Sequence, residues 1–182
     1  MTNTTLNTEI SVKLIRDCVA IQIPGGNKIT LEQGHEVYIM QILGGMFTVE
    51  TEWGYLARID GKDADALNQK IPLECNTFNL EDFHSIHDAT WAILKTCYDP
   101  EISVNIVDLG LIYEIKIDND RVNIKMTLTA PSCGMGEVIC EDIKQKLTQI
   151  AAVKEVIIDL VFDPPWSMDN ISETAKFHLG LI

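Results

Sequence analysis

Leu109-Gly110-Leu111-Ile112-Tyr113-Glu114-Ile115-Lys116-Ile117-Asp118-Asn119-Asp120-Arg121-Val122-Asn123-Ile124-Lys125-Met126-Thr127-Leu128-Thr129 is the stretch that decides the fold. Residues 109–117 are apolar up to Tyr113 and then alternate Glu114-Ile115-Lys116-Ile117, and 122–129 alternate apolar with polar residues, which predicts two strands. Asp118-Asn119-Asp120 between them predicts the turn. Downstream, Ile139, Ile143, Leu147 and Ile150 recur at helical spacing, so 136–150 is expected to be an amphipathic helix. Residues 153–162 carry β-branched side chains at consecutive positions and predict a strand buried on both faces. Asp163-Pro164-Pro165-Trp166 ends it, and a last helix is expected over 168–179. Upstream, Phe83, Ile86, Thr90, Ile93 and Cys97 share one stripe, predicting a helix over 81–97 that Asp99-Pro100 stops. The order α-β-β-α-β-α predicts a two-layer sandwich, with the last strand parallel to one hairpin member.

The first part of the chain reads differently. From Ile10 to about Ile59 the period is that of strands, with runs at 37–43, 46–51 and 54–59 punctuated by Gly44-Gly45 and Asp60-Gly61. Val19, Ile21 and Ile23 alternate ahead of the turn Pro24-Gly25-Gly26-Asn27. A small barrel or curled sheet is expected. Asp63-Ala64-Asp65-Ala66-Leu67 then reads as a tight turn and helix start. The chain is thus α+β, with a β-rich domain at 1–75, a linker within 72–80 and a second domain at 80–182. Residues 1–8 are polar and expected to fray.

Charge narrows the partners. Of 182 residues, 27 are Asp or Glu and 14 are Lys or Arg, for a formal net charge of −13. Such a chain is repelled by phosphate backbones and anionic lipid, so neither nucleic acid nor a membrane is expected as a partner. The polar start has no leader pattern, and a cytoplasmic location is expected. Five cysteines, Cys18, Cys75, Cys97, Cys133 and Cys140, show no C-x-x-C spacing and suggest no disulfide framework. Pro24-Gly25-Gly26-Asn27-Lys28 lacks the spacing of a phosphate loop.

The loop Thr129-Ala130-Pro131-Ser132-Cys133-Gly134-Met135-Gly136 joins a strand to a helix. A cysteine beside the free N–H groups of a helix N-terminus is expected to have a lowered pKa. Gly134 and Gly136 let backbone approach whatever Cys133 binds. The competing reading is a buried loop cysteine beside two turn glycines. The other four cysteines read as core or neutral positions. Asp99, Glu101 and Asp108 precede and enter the first strand. They are candidates for hard-metal binding or thiol activation, against helix termination and loop capping. Asp108, at the mouth of the strand, is the strongest of the three. Trp166 is expected to pack its own domain rather than anchor a partner.

Asp99-Pro100-Glu101-Ile102, then Val104 to Tyr113, then the Thr129…Cys133 pair resemble the iron-sulfur cluster assembly (FSCA-like) domain family that includes PaaD-type proteins. The resemblance runs from about Glu81 to Ile182. Ile23-Pro24, Gly44-Gly45 with Thr48-Val49, the 63–67 run, Asp163-Pro164-Pro165-Trp166 and the ending from Ala175 extend it to that family's maturation-factor branch, associated with SUF systems. Ser103 stands where the family usually has proline, and Asn68 where glycine is common. Ser132 and Gly134 flank the cysteine where the wider family often has glycine and proline.

The resemblance implies an accessory factor in iron-sulfur cluster assembly or delivery, without classical catalytic activity. Cys133 would hold a transient cluster or capture a donor or client through sulfur. Thr129, Gly134, Gly136, Asp99, Glu101 and Asp108 would shape its surroundings. SUF-type assembly proteins and apo iron-sulfur clients would be its partners, and a homodimer could share one cluster. Two alternatives stay open: a metal-free client-docking adaptor, and a thiol-dependent enzyme needing a base such as His87 or His178.

Overall fold

A computed structural model describes residues 10–72, 83–131 and 133–182. The expectations for 1–8, for the linker beyond Pro72, for Cys75 and for the 81–82 helix start lie outside the described residues. The chain separates into two compact units, Met1–Ile23 with Asn27–Cys75, and Pro24–Gly26 with Asn76–Ile182.

The first unit is a six-stranded antiparallel sheet. Its strands are β1 (Ile10–Lys13), β2 (Cys18–Ile23), β3 (Lys28–Leu31), β4 (Glu36–Leu43), β5 (Met46–Thr51) and β6 (Leu56–Asp60). Their order is β1-β4-β5-β6-β2-β3. Alternate residues of every strand enter one core, including Leu31, Val37, Ile39, Phe47, Val49, Ala57 and Ile59. A single cluster reached from both ends of a six-stranded sheet requires the sheet to curl. Ala64, Ala66 and Leu67 of a 3-10 segment, Gly61–Leu67, pack into the same core. Asp60 caps that segment by accepting from the Lys62 N–H, and Asn68 ends it at φ 52. Asparagine and glycine are the residues that tolerate this left-handed position, which accounts for Asn68.

The second unit runs α1 (Ile86–Leu94), β7 (Ile112–Asp118), β8 (Arg121–Met126), α2 (Gly136–Leu147), β9 (Glu155–Leu160), a 3-10 turn at Met168–Asn170 and α3 (Glu173–His178). The sheet order is β7-β8-β9. β7 and β8 are antiparallel, and β8 and β9 are parallel. Val122, Ile124 and Met126 form the buried face of β8. α1 packs on α2 and β7, and α2 packs on β9.

Four boundaries differ from expectation. α1 starts at Ile86 because Ser85 caps it, accepting from the Asp88 N–H. It stops at Leu94, where the N–H groups of Thr96 and Cys97 reach back to Ile93 and Leu94 in tighter turns. The first strand begins at Ile112, because 106–110 is a chain of turns. The last helix is broken, since Ser172 caps a separate α3. β9 also departs from the expected strand buried on both faces. It is an edge strand with Ile157 and Leu160 exposed, and helices cover one face only. No helix among the described residues is long and apolar enough to cross a membrane.

The turn at Asp108-Leu109-Gly110 is held by the C-terminal segment. Trp166 Nε1 donates to the Leu109 carbonyl at 2.8 Å, the Ser172 N–H donates to Asp108 O at 2.8 Å, and the Tyr113 hydroxyl donates to Pro164 O at 2.9 Å. Trp166 therefore packs within its own domain. Gly110 has φ +69, and a Cβ there would lie 2.2 Å from Asn170 O. Gly110→Ala is expected to lower stability by about 2–3 kcal/mol in urea titration, through backbone strain plus that clash.

Candidate functional site

The loop before α2 is built from two turns meeting at Cys133. The Cys133 N–H donates to Ala130 O at 3.1 Å, and the Gly136 N–H donates to Cys133 O at 3.2 Å. Pro131 directly follows the first residue of the first turn, where its fixed φ is favourable. Met135 is the N-cap of α2, and its side chain makes no capping bond. The backbone N–H groups of Met135 and Gly136 favour the Cys133 thiolate. Gly136 is buried, and an added Cβ would approach Leu128 Cδ1 to 2.6 Å. The glycine thus lets α2 start close against the end of β8. Gly134 is exposed, and Thr129 is half-buried at the loop's entry.

Asp99 and Glu101 lie within electrostatic reach of Cys133. Asp99 is 2% exposed, and its Oδ1 accepts from the Glu101 N–H at 2.9 Å and the Ile102 N–H at 3.2 Å. That Asp-centred turn is closed by Ser103 N–H to Asp99 O and Asp99 N–H to Val104 O. Ser103 has φ 60, a conformation closed to proline.

The thiol's titration corrects the expectation of a lowered pKa. Burial is the largest influence on Cys133 and raises its pKa. The Met135 and Gly136 N–H groups pull it down, while Asp99 and Glu101 push it up, and the net direction is upward. The helix start acts as the sequence suggested, but burial and two carboxylates from the preceding loop outweigh it. Burial likewise raises Cys140, and it pushes Cys18 up to about 11.

The other candidates make local contacts of their own. The Asp108 carboxylate accepts from Asn105 Nδ2 at 2.6 Å, and Asn105 Oδ1 accepts from the Val107 and Asp108 N–H groups. Asp108 thus closes a turn with Asn105. His87 accepts from Trp91 Nε1, and His178 stacks edge-on with Phe177. Among the described residues, no three His, Cys, Asp or Glu side chains are placed to hold a metal ion together.

Residues 87–158 match a family model described as iron-sulfur cluster assembly protein. The chain is 47% identical over 91 residues to an Fe-S protein maturation auxiliary factor of Porphyromonas gingivalis, covering 50% of this chain and 87% of the relative. It is 38% identical over 84 residues to the Fe-S protein maturation auxiliary factor SufT of Staphylococcus aureus, covering 46% and 96%. A crystal structure from Bacillus anthracis, described as domain of unknown function DUF59, superimposes with a TM-score of 0.51 at 36% identity, covering 57% of this chain and 100% of that one.

Proposed function

The chain belongs to the iron-sulfur cluster assembly protein family through residues 87–158, and on that premise we propose that it is an accessory factor that receives or delivers an iron-sulfur cluster through Cys133. The cluster is cargo. One half-buried thiol with two carboxylates nearby does not make a closed ligand set for a resident cluster, which takes about four protein ligands. It suits a ligand that shares the cluster with other thiols and then lets go.

The carrying observation is the charge around the sulfur. Asp99 and Glu101 disfavour a bare thiolate, and the same carboxylates favour a cationic metal that takes the proton's place. A thiol enzyme needs the reverse, an activated thiolate with an adjacent base, and is the weaker reading. Partners of the SUF type, apo iron-sulfur clients and a cluster-bridged homodimer belong to the same proposal, as does a cytoplasmic, non-catalytic role. Neutralising one carboxylate tests the electrostatic part. Glu101→Gln is expected to lower the Cys133 pKa and speed its alkylation by iodoacetamide about twofold at pH 8, read by mass spectrometry. Because the wild-type pKa is raised, its alkylation rate should keep climbing above pH 9. A rate already flat by pH 8 contradicts the assignment.

The domain division is part of the proposal. The matched segment makes up 87% of the Porphyromonas gingivalis relative and 96% of the Staphylococcus aureus one. A fragment of residues 80–182 is therefore expected to fold alone, with cooperative unfolding by circular dichroism.

A further inference from the structure

The relatives leave the first unit without a role, and its surface carries a built cleft. The cleft has a volume of about 280 Å³ and is lined by Tyr38, Glu50, Thr51, Glu52 and Gly54. Tyr38 and Glu50 are cross-strand partners of β4 and β5. Their neighbours Val37 and Val49 point into the core, so Tyr38 and Glu50 stand side by side on the opposite face. The turn that carries Glu52 is fixed. Tyr55 O accepts from both the N–H and the hydroxyl of Thr51, at 3.0 and 3.2 Å, and the Gly54 N–H donates to Thr51 O at 2.8 Å. Trp53 stacks on Tyr55 at 5.9 Å and meets His35 edge-on at 4.7 Å, while remaining 55% exposed. A Cβ added at Gly54 would meet nothing within 4 Å, so that wall is open.

Among the described residues, the lining holds two carboxylates and a phenol ring and no basic side chain. We infer that this cleft docks a Lys- or Arg-bearing segment of a partner protein. The carboxylates would take the ammonium or guanidinium in charge-assisted hydrogen bonds, and Tyr38 would pack its aliphatic stem. The rigid 51–55 turn presents Glu52 with little ordering cost. This surface stands on the first unit alone and does not depend on the reading of Cys133.

The test is calorimetric titration of the full chain at low salt with acetyl-Gly-Arg-Gly-Lys-Gly-Arg-amide. A control peptide carries Gln at the three basic positions. Wild type is expected to bind the basic peptide saturably and the control not at all. Glu50→Gln/Glu52→Gln should weaken binding about tenfold. Tyr38→Leu, which keeps both charges, should weaken it about threefold. Asp159→Asn/Asp169→Asn removes two exposed carboxylates elsewhere and should leave the affinity within twofold. Cys133→Ser should bind as wild type, which separates this result from any failure of the cluster reading. Circular dichroism establishes that each variant is folded. Equal weakening by the two double variants would mean diffuse attraction to an acidic chain and overturn the docking site, as would absence of saturable binding.

Discussion

Cys133→Ser is expected to abolish retention of iron and sulfide after anaerobic reconstitution, while Cys140→Ser retains them. The contrast follows from position. Cys133 is half-buried at the junction of two turns, beside the start of α2, whose Met135 and Gly136 N–H groups favour its thiolate. Cys140 lies seven residues on, in the second turn of α2 and about 6 Å along its axis from Gly136, within the body of the helix rather than in the loop that carries Cys133. One chain therefore offers one thiolate, and the wild-type cluster should be labile. It is expected to need an added small thiol such as glutathione, and to run on size exclusion at twice the monomer mass with about one cluster per two chains. Metal analysis of the eluted peaks reads this directly. A stable, fully loaded monomer would overturn the bridging form. A wild type that holds no cluster under any thiol supplement would favour the metal-free docking adaptor.

The hairpin was legible because β7 alternates half-buried with exposed residues and β8 buried with more exposed ones, so alternation survives in the sequence. β9 was not. Its run of Val156, Ile157 and Ile158 reads like a strand covered on both sides, yet it lies at the sheet edge with Ile157 exposed. Whether a layer covers a face is a tertiary fact, absent from the strand itself. The same holds for Cys133. Its place ahead of a helix was readable from Pro131 and the glycines, and so was the pull of the N–H groups. The opposing charges come from Asp99 and Glu101, some thirty residues upstream, and only the fold brings them near. The Asp108 motif also serves a turn, one that Trp166 and Ser172 fasten, and that role depends on a C-terminal segment that is remote in the chain. The Ser85 and Ser172 caps were present in the sequence as signals, masked by longer apolar stripes around them. The Tyr38–Glu50 pairing depends on a β4–β5 register that shifts between Ile39 and Gln41, which no period reveals.

Lys146 is where the helix stripe concealed most. Ile139, Ile143, Leu147 and Ile150 mark the inward face of α2, but Asp142 and Lys146 are buried as well, their side chains 3% and 8% exposed. Lys146 Nζ meets Asp142 Oδ2 at 3.2 Å and donates to the Thr96 carbonyl at 2.7 Å, just beyond the end of α1. The lysine thus joins two helices through a backbone carbonyl near the terminus of one and a carboxylate on the other. Lys146→Met keeps much of the stem volume but leaves the Asp142 charge buried without its ammonium. It is expected to cost about 3–5 kcal/mol in urea denaturation, a large share of the roughly 5–15 kcal/mol that holds a domain folded. Asp142→Leu/Lys146→Met removes both charges and should be more stable than the single variant by about 1–3 kcal/mol, because no ion is then stranded. Added salt should not narrow the gap, as a pair this buried is poorly screened. If the double variant proved as unstable as Lys146→Met, the loss would lie in the Thr96 contact and the stem packing rather than in the ion pair.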